Sequence, residues 1–432
     1  MKRIYSLLFV VLFAMGSFGA DRAHTLKVYN WADYIDEDVL NSFPAWYKQM
    51  TGEDVEVIYQ TFDINESMLT EIEVGHEDYD VICPSEYIIE RMLKANLLQQ
   101  IDKTLIPDSL QWFDNVAPFV VEKFRLMSED VDVNDYTVGY MWGTTGFLYN
   151  PAFVSAEELD SWGAILNPKF EDKIYMKDAF RDVYSVIVLY AYYQDILDGK
   201  VTRTDLVKNI TKERLDSVEH ILLAAKKNVA GWEVDFGKEE MTKGRAWMNL
   251  SWSGDAQWAI DESPVPLEYI VPKEGSNAWF DGWCIPKYAV NTKAAAWWIN
   301  YMCLPENAIK NMEFIGYVSV IASPEVLDWA DDEEIEETAD LTYFFGEGAE
   351  AVHANQVLYP DQSVIDRCAL MHDAGDMNEE LVKMWNRVKG DNLSSTMLLV
   401  VLVVLILLIV FVVMQFVNKR NLKNAQQRRR RK

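Results

Sequence analysis

Thr137-Val138-Gly139-Tyr140-Met141-Trp142-Gly143-Thr144-Thr145 is extended, glycine-rich sequence between two stretches that each alternate strand-like and helix-like patterns. Reading it as a crossover from one α/β lobe into a second decides the architecture. The pattern on either side supplies the two lobes.

Upstream, residues 26–30 are a short apolar run, and Val39, Leu40, Phe43, Trp46, Tyr47 and Met50 then recur at helical spacing despite Pro44. Residues 55–59 are strand-like. Asn65 is placed to cap a helix carrying Met68, Leu69 and Ile72 and ending at Gly75. Residues 79–83 read as a third strand stopped by Pro84, and Tyr87, Met92, Leu93 and Leu97 line the following helix. This βαβαβα order makes a parallel, doubly wound sheet the economical reading. Ligands of such sheets bind beyond the carboxyl ends of the strands. Trp31, Asp33 and Tyr34 follow the first strand and Ser85, Glu86 and Tyr87 the third, so both clusters fall on one rim. An indole, a carboxylate and a phenol within four residues suit an organic cation, which is drawn to an aromatic face and requires a charge-assisted partner once desolvated. Helix N-termini on that rim carry partial positive charge, so a cation site there demands added carboxylates. Glu86, and Asp255 further on, also read as simple N-terminal helix charges.

Downstream, residues 173–176 form a short strand leading to Asp178, Arg181 and Asp182, then to a helix-patterned run over 183–193. The spacing predicts one helix over 205–227. Residues 246–251 are another strand, ending at Trp252, with Gly254 opening a helix through Ile260. Residues 271–282 resemble a second crossover, in which Trp279 and Asp281 are two apart and face the same way if extended. Residues 294–302 predict a buried helix, Gly316-Tyr317 the end of the next, the acidic run 331–337 a solvated surface, and 378–388 a last amphipathic helix. The expected lobes are 25–138 with 281–318, and 139–280 with 319–391. Two lobes on two crossovers suit hinge closure around a small ligand.

Both ends are set apart from this globular part. Residues 1–20 read as a signal peptide, with Lys2 and Arg3 before an apolar run and small residues near Ala20. Residues 397–417 are apolar but for Gln415 and match the length of a transmembrane helix. The basic tail 418–432 behind them would lie in the cytoplasm by the positive-inside rule. Between these ends stand 30 basic and 68 acidic residues, a net of −38. Such a surface repels nucleic acid and anionic substrates and is permissive for cations. Cys83, Cys284, Cys303 and Cys368 have no metal-type or redox-dithiol spacing and read as buried thiols, while an oxidising compartment would permit disulfides. There is no phosphate-cradling glycine loop or nucleophile elbow, and five scattered histidines give a Ser-His-Asp site little support. Binding is the stronger class, with no catalytic residue, metal or cofactor expected.

Tyr29-Asn30-Trp31 with Asp33-Tyr34, residues 61–68, Tyr79-Asp80-Val81 with Pro84-Ser85 and Tyr87, and Tyr140-Met141-Trp142-Gly143 form an ordered set. Pro272-Lys273-Glu274-Gly275 with Trp279 and Asp281, Ile315-Gly316-Tyr317, and Leu358-Tyr359-Pro360-Asp361 continue it. In this order, over nearly all of residues 26–390, the chain resembles the extracytoplasmic spermidine/putrescine-binding proteins that feed ABC importers. The resemblance implies a two-lobed periplasmic-binding-protein fold of type II, a polyamine ligand, and the permease subunits of an ABC importer as partners. It implies that Trp31, Tyr34, Tyr87, Trp252 and Trp279 enclose the methylene chain. Asp281 and either Asp178 or Asp182 would hold ammonium groups, and Ser85 and Tyr317 would complete the polar contacts. Asp33 stands where the family usually has a longer glutamate, which makes its loop the expected determinant of which polyamine fits. Ala32 replaces a hydroxyl residue, Met371 an expected glutamine, and the acids of residues 177–182 are spaced differently. The membrane helix would tether the protein on the periplasmic or extracellular face of the cytoplasmic membrane. A binder of another small cation or solute, and a ligand-sensing signalling receptor, are the alternative readings.

Overall fold

Two long, fully buried strands carry the crossovers in the computed structural model, which describes residues 22–234, 236–390 and 402–403. In chain order the strands are β1 (Thr25–Trp31), β2 (Glu56–Phe62), β3 (Val81–Ile82), β4 (Leu98–Gln99), β5 (Thr137–Tyr149) and β6 (Ile174–Lys177). They continue with β7 (Val229–Glu233), β8 (Met248–Trp252), β9 (Glu268–Ile270), β10 (Ser276–Pro286), β11 (Val318–Ser319) and β12 (Cys368–Ala369). Their principal order is β2-β1-β3-β10-β5-β8-β6-β7. At one end β1 pairs parallel with β2 and β3. At the other, β6 pairs parallel with β7 and β8. The antiparallel pair β5 and β10 joins the two sets, so an α/β lobe with its own parallel strands lies on each side of the crossovers. The sheet and its helices through residue 378 belong to one compact unit, and helix Asn378–Gly390 opens a second.

The helices follow their predicted apolar faces, with differences that have local causes. Helix Glu37–Thr51 tolerates Pro44, with Asp36 accepting the Val39 N–H at 2.9 Å at its start and Gly52 at φ +76° ending it. The helix predicted over 205–227 is instead two, Arg203–Lys208 and Lys212–Ala225. Asn209 leaves helical geometry, and Thr211 caps the second by accepting the Arg214 N–H. Asn65 is not a cap either: Ile64 holds that position in helix Asn65–Glu73, and the Asn65 amide is committed elsewhere. Trp298 is fully buried, as expected of the helix over 294–302, and Trp142 and Trp283 are fully buried too, Trp283 in edge-to-face contact with Trp298. All four cysteines are free. Among the described residues no helix is long and apolar enough to cross a membrane. The expected signal peptide, the span 397–417 but for two residues, and the basic tail lie outside the described residues.

Candidate functional site

Four helices that follow parallel strands of the two lobes each carry an acid in the first turn: Glu66, Glu86, Asp182 and Asp255. Their N-termini would otherwise make the cleft electropositive. The helices follow β2, β3, β6 and β8, so the acids sit where parallel strands give way to helices.

Asp281 comes from the crossover rather than from a helix. The register between β10 and β5 slips between Phe280 and Gly282, a bulge that re-aims the intervening residue. Asp281 bridges to Ser85 instead. Its carboxylate accepts the Ser85 hydroxyl at 2.6 Å and the Tyr34 hydroxyl at 2.7 Å, both neutral donors. Burial outweighs these bonds and pushes the acid up to about 7. Asn65 donates to the Ser85 hydroxyl at 3.1 Å and the Tyr87 hydroxyl at 3.2 Å, and Tyr87 donates to Glu66 at 3.2 Å. Tyr34 packs edge-on against Tyr140 and Tyr317, and Tyr317 lies 5.5 Å from Trp279 between ring centres. A glycine of the crossover and one at the start of helix Ser253–Glu262 permit this packing. A Cβ at Gly143, the register partner of Trp279, would lie 2.5 Å from the Trp279 ring, and one at Gly254 would lie 2.2 Å from Tyr317.

Asp182 is buried and accepts the Trp252 indole N–H at 3.1 Å and the Asn277 amide at 2.9 Å. Burial raises its carboxyl despite those donors. Asp255 behaves oppositely. Burial alone would raise it, but Lys177 at 2.6 Å and Lys238 at 3.3 Å hold it below the ordinary carboxylate range. Glu86 accepts the Phe280 N–H at 3.0 Å, and burial, with Asp281 and Asp182 nearby, pushes it well above that range.

The predicted residues therefore divide. Tyr34, Ser85, Tyr87, Asp182, Trp252, Trp279, Asp281 and Tyr317 share one connected set of hydrogen bonds and ring contacts. Trp31 is partly exposed at the end of β1, its ring 4.6 Å from Phe62. Among the described residues the indole N–H groups of Trp31 and Trp279 find no acceptor. Asp178 is only partly buried, and its backbone N–H donates to the Glu233 carbonyl; the acid that meets Trp252 is Asp182. Asp33 stands apart, exposed and at φ +52°, because the chain turns sharply there to bring Tyr34 inward. Sequence reading missed Lys177, Asn65 and Asn277. A lysine ending an apolar strand beside two acids was the available signal for Lys177.

Among the described residues no group of three or more histidine, cysteine, aspartate or glutamate side chains is arranged to hold a metal ion. The model of the bacterial extracellular solute-binding protein family matches residues 45–341. The chain is 26% identical over 373 residues to the spermidine/putrescine-binding periplasmic protein of Salmonella typhimurium, covering 84% of this chain and 91% of that one. It is 28% identical over 297 residues to the putrescine-binding periplasmic protein PotF of Escherichia coli, covering 65% and 74%. Of solved structures, the spermidine/putrescine ABC transporter substrate-binding protein PotD of Streptococcus pneumoniae matches with a TM-score of 0.63 and 26% identity, over 85% of this chain and 98% of that one.

Proposed function

Because this chain belongs to the bacterial extracellular solute-binding protein family, we propose that it is the binding component of an ABC importer and that its ligand is a polyamine. The observation that carries the reading is Asp281, a buried carboxylate answered only by hydroxyls, in a connected set of rings that includes Tyr34, Tyr317 and Trp279. A buried charge without a countercharge is costly, and an ammonium group would supply the missing partner. A polyamine adds methylenes between its charges, which aromatic walls bury. Asp182 offers a second carboxylate beside Trp252. In this reading the two lobes close on the ligand, and the stretch 397–417 with its basic tail tethers the protein to the membrane, where permease subunits receive the ligand.

Titrating the full-length chain with putrescine, spermidine and choline in a calorimeter tests the proposal. Polyamines are expected to release heat and saturate one site, and choline is not. No heat from either polyamine would overturn it.

A further inference from the structure

Asp182, Asp255 and Asp281 are three buried carboxylates around one cleft, and only Asp255 has a fully buried ammonium of the chain's own. Lys177 Nζ lies 2.6 Å from Asp255, 3.2 Å from Glu233 and 4.3 Å from the centre of the Trp252 ring, and its side chain is fully buried. An alkylammonium between carboxylates and an indole face is the arrangement that the cleft is proposed to offer a ligand. Lys177 takes one such place from within the wall. Trp252 cannot readily turn away from it, because its indole N–H is committed to Asp182 at 3.1 Å. Tyr317 hydrogen-bonds Asp255 while its ring packs on Tyr34 and Trp279, so the lysine cage and the Asp281 pocket share a wall.

We propose that Lys177 is a built-in cation that sets ligand charge and length, so that the cleft takes a short diammonium chain in preference to a triammonium one. The inference rests on the polyamine reading above. The pairing of the carboxylates supports it. Lys177 and Lys238 offset Asp255 and Glu233. Around the rest of the cleft Glu66 faces the guanidinium groups of Arg181 and Arg91, and Arg181 stacks over Tyr87 at 5.4 Å. Asp182 and Asp281 are left with neutral hydrogen-bond donors and no ammonium of the chain's own, one carboxylate for each end of a diammonium chain. A third ligand ammonium would enter without a carboxylate of its own, the costly case for a buried charge.

Calorimetry on the full-length chain decides the matter, using α,ω-diamines of three to six carbons and spermidine. The wild type is expected to bind its best diamine at least tenfold more tightly than spermidine. Lys177→Met keeps the apolar stem and frees Asp255 and Glu233, and should move the spermidine-to-diamine affinity ratio at least tenfold toward spermidine. Lys177→Arg should keep the wild-type ratio. Equal or tighter spermidine binding by the wild type overturns the inference, as does an unmoved ratio in folded Lys177→Met. If Lys177→Met does not fold, the wild-type ratio alone decides. Polyamine binding with the wrong ratio removes only this inference, whereas no heat from any amine removes the polyamine reading with it.

Discussion

Asp281 and Asp255 are both buried beside the same tyrosine-lined wall, yet they are solved in opposite ways. Asp255 has ammonium partners in Lys177 and Lys238 and is held low. Asp281 has only the Ser85 and Tyr34 hydroxyls and is pushed up to about 7. The first is a finished interaction that belongs to the fold. The second has no countercharge within the fold, and in the polyamine reading the ligand would supply it.

The contrast predicts opposite outcomes for two matched substitutions. Asp255→Asn leaves Lys177 short of a countercharge and should destabilise the ligand-free protein by about 3 kcal/mol, as when one partner of a buried pair is removed. Asp281→Asn removes a charge that had no countercharge, so the ligand-free protein should lose no more than about 1 kcal/mol, while polyamine binding weakens by about 3 kcal/mol, roughly 150-fold. Urea unfolding and calorimetry on both variants check this. Equal losses of stability would break the distinction.

A smaller effect concerns pH. The folded protein holds the Asp281 proton up to about pH 7, whereas an unfolded aspartate releases it near 4. Between those values the folded state binds more protons, so this group's contribution makes ligand-free stability fall as pH rises, by at most about 1.4 kcal/mol per unit. Asp255 has the opposite sign: its contribution is present above the ordinary aspartate pKa and is lost only as pH falls below it. Cation binding must displace the Asp281 proton below pH 7, so affinity should drop by up to about tenfold per unit from pH 7 to 5. Calorimetry in two buffers of different ionisation enthalpy would detect the released proton. A flat affinity with no proton release would mean that another acid holds the ammonium.

The sequence showed the frame of this site better than its chemistry. The extended, glycine-rich run 137–145 and the extended run 271–282 announced the crossovers, which β5 and β10 supply as an antiparallel pair. Strand ends were equally readable, and Tyr34, Ser85, Tyr87 and Trp252, which follow or end strands, fall in one connected set of hydrogen bonds and ring contacts. Lys177 stood beside acids in the sequence, but a lysine at the end of a strand ordinarily reaches solvent, so that signal did not single it out. Its burial follows from β6 lying between β7 and β8, a pairing of sequence-distant segments. The split of residues 205–227 was hidden because Leu206, Leu215, Val218 and Leu222 hold apolar positions on both sides of it, although Thr211 is the kind of residue that caps a helix.

Asp33 is the sharpest test of how far a local motif can be trusted. Its place between Trp31 and Tyr34 suggested that it selects the ligand. The backbone at φ +52° instead turns it outward, where water and salt screen its charge. An exposed carboxylate contributes about 0–1 kcal/mol to an ion pair. Asp33→Asn isolates that charge, because asparagine tolerates the left-handed conformation as well as aspartate does. Its stability should stay within about 0.5 kcal/mol of wild type, and its polyamine affinity within about threefold by calorimetry. A loss matching that of Asp281→Asn would bring Asp33 within reach of the ligand. Length selection would then belong to the first strand's loop, where the sequence placed it, rather than to Lys177 on the far lobe.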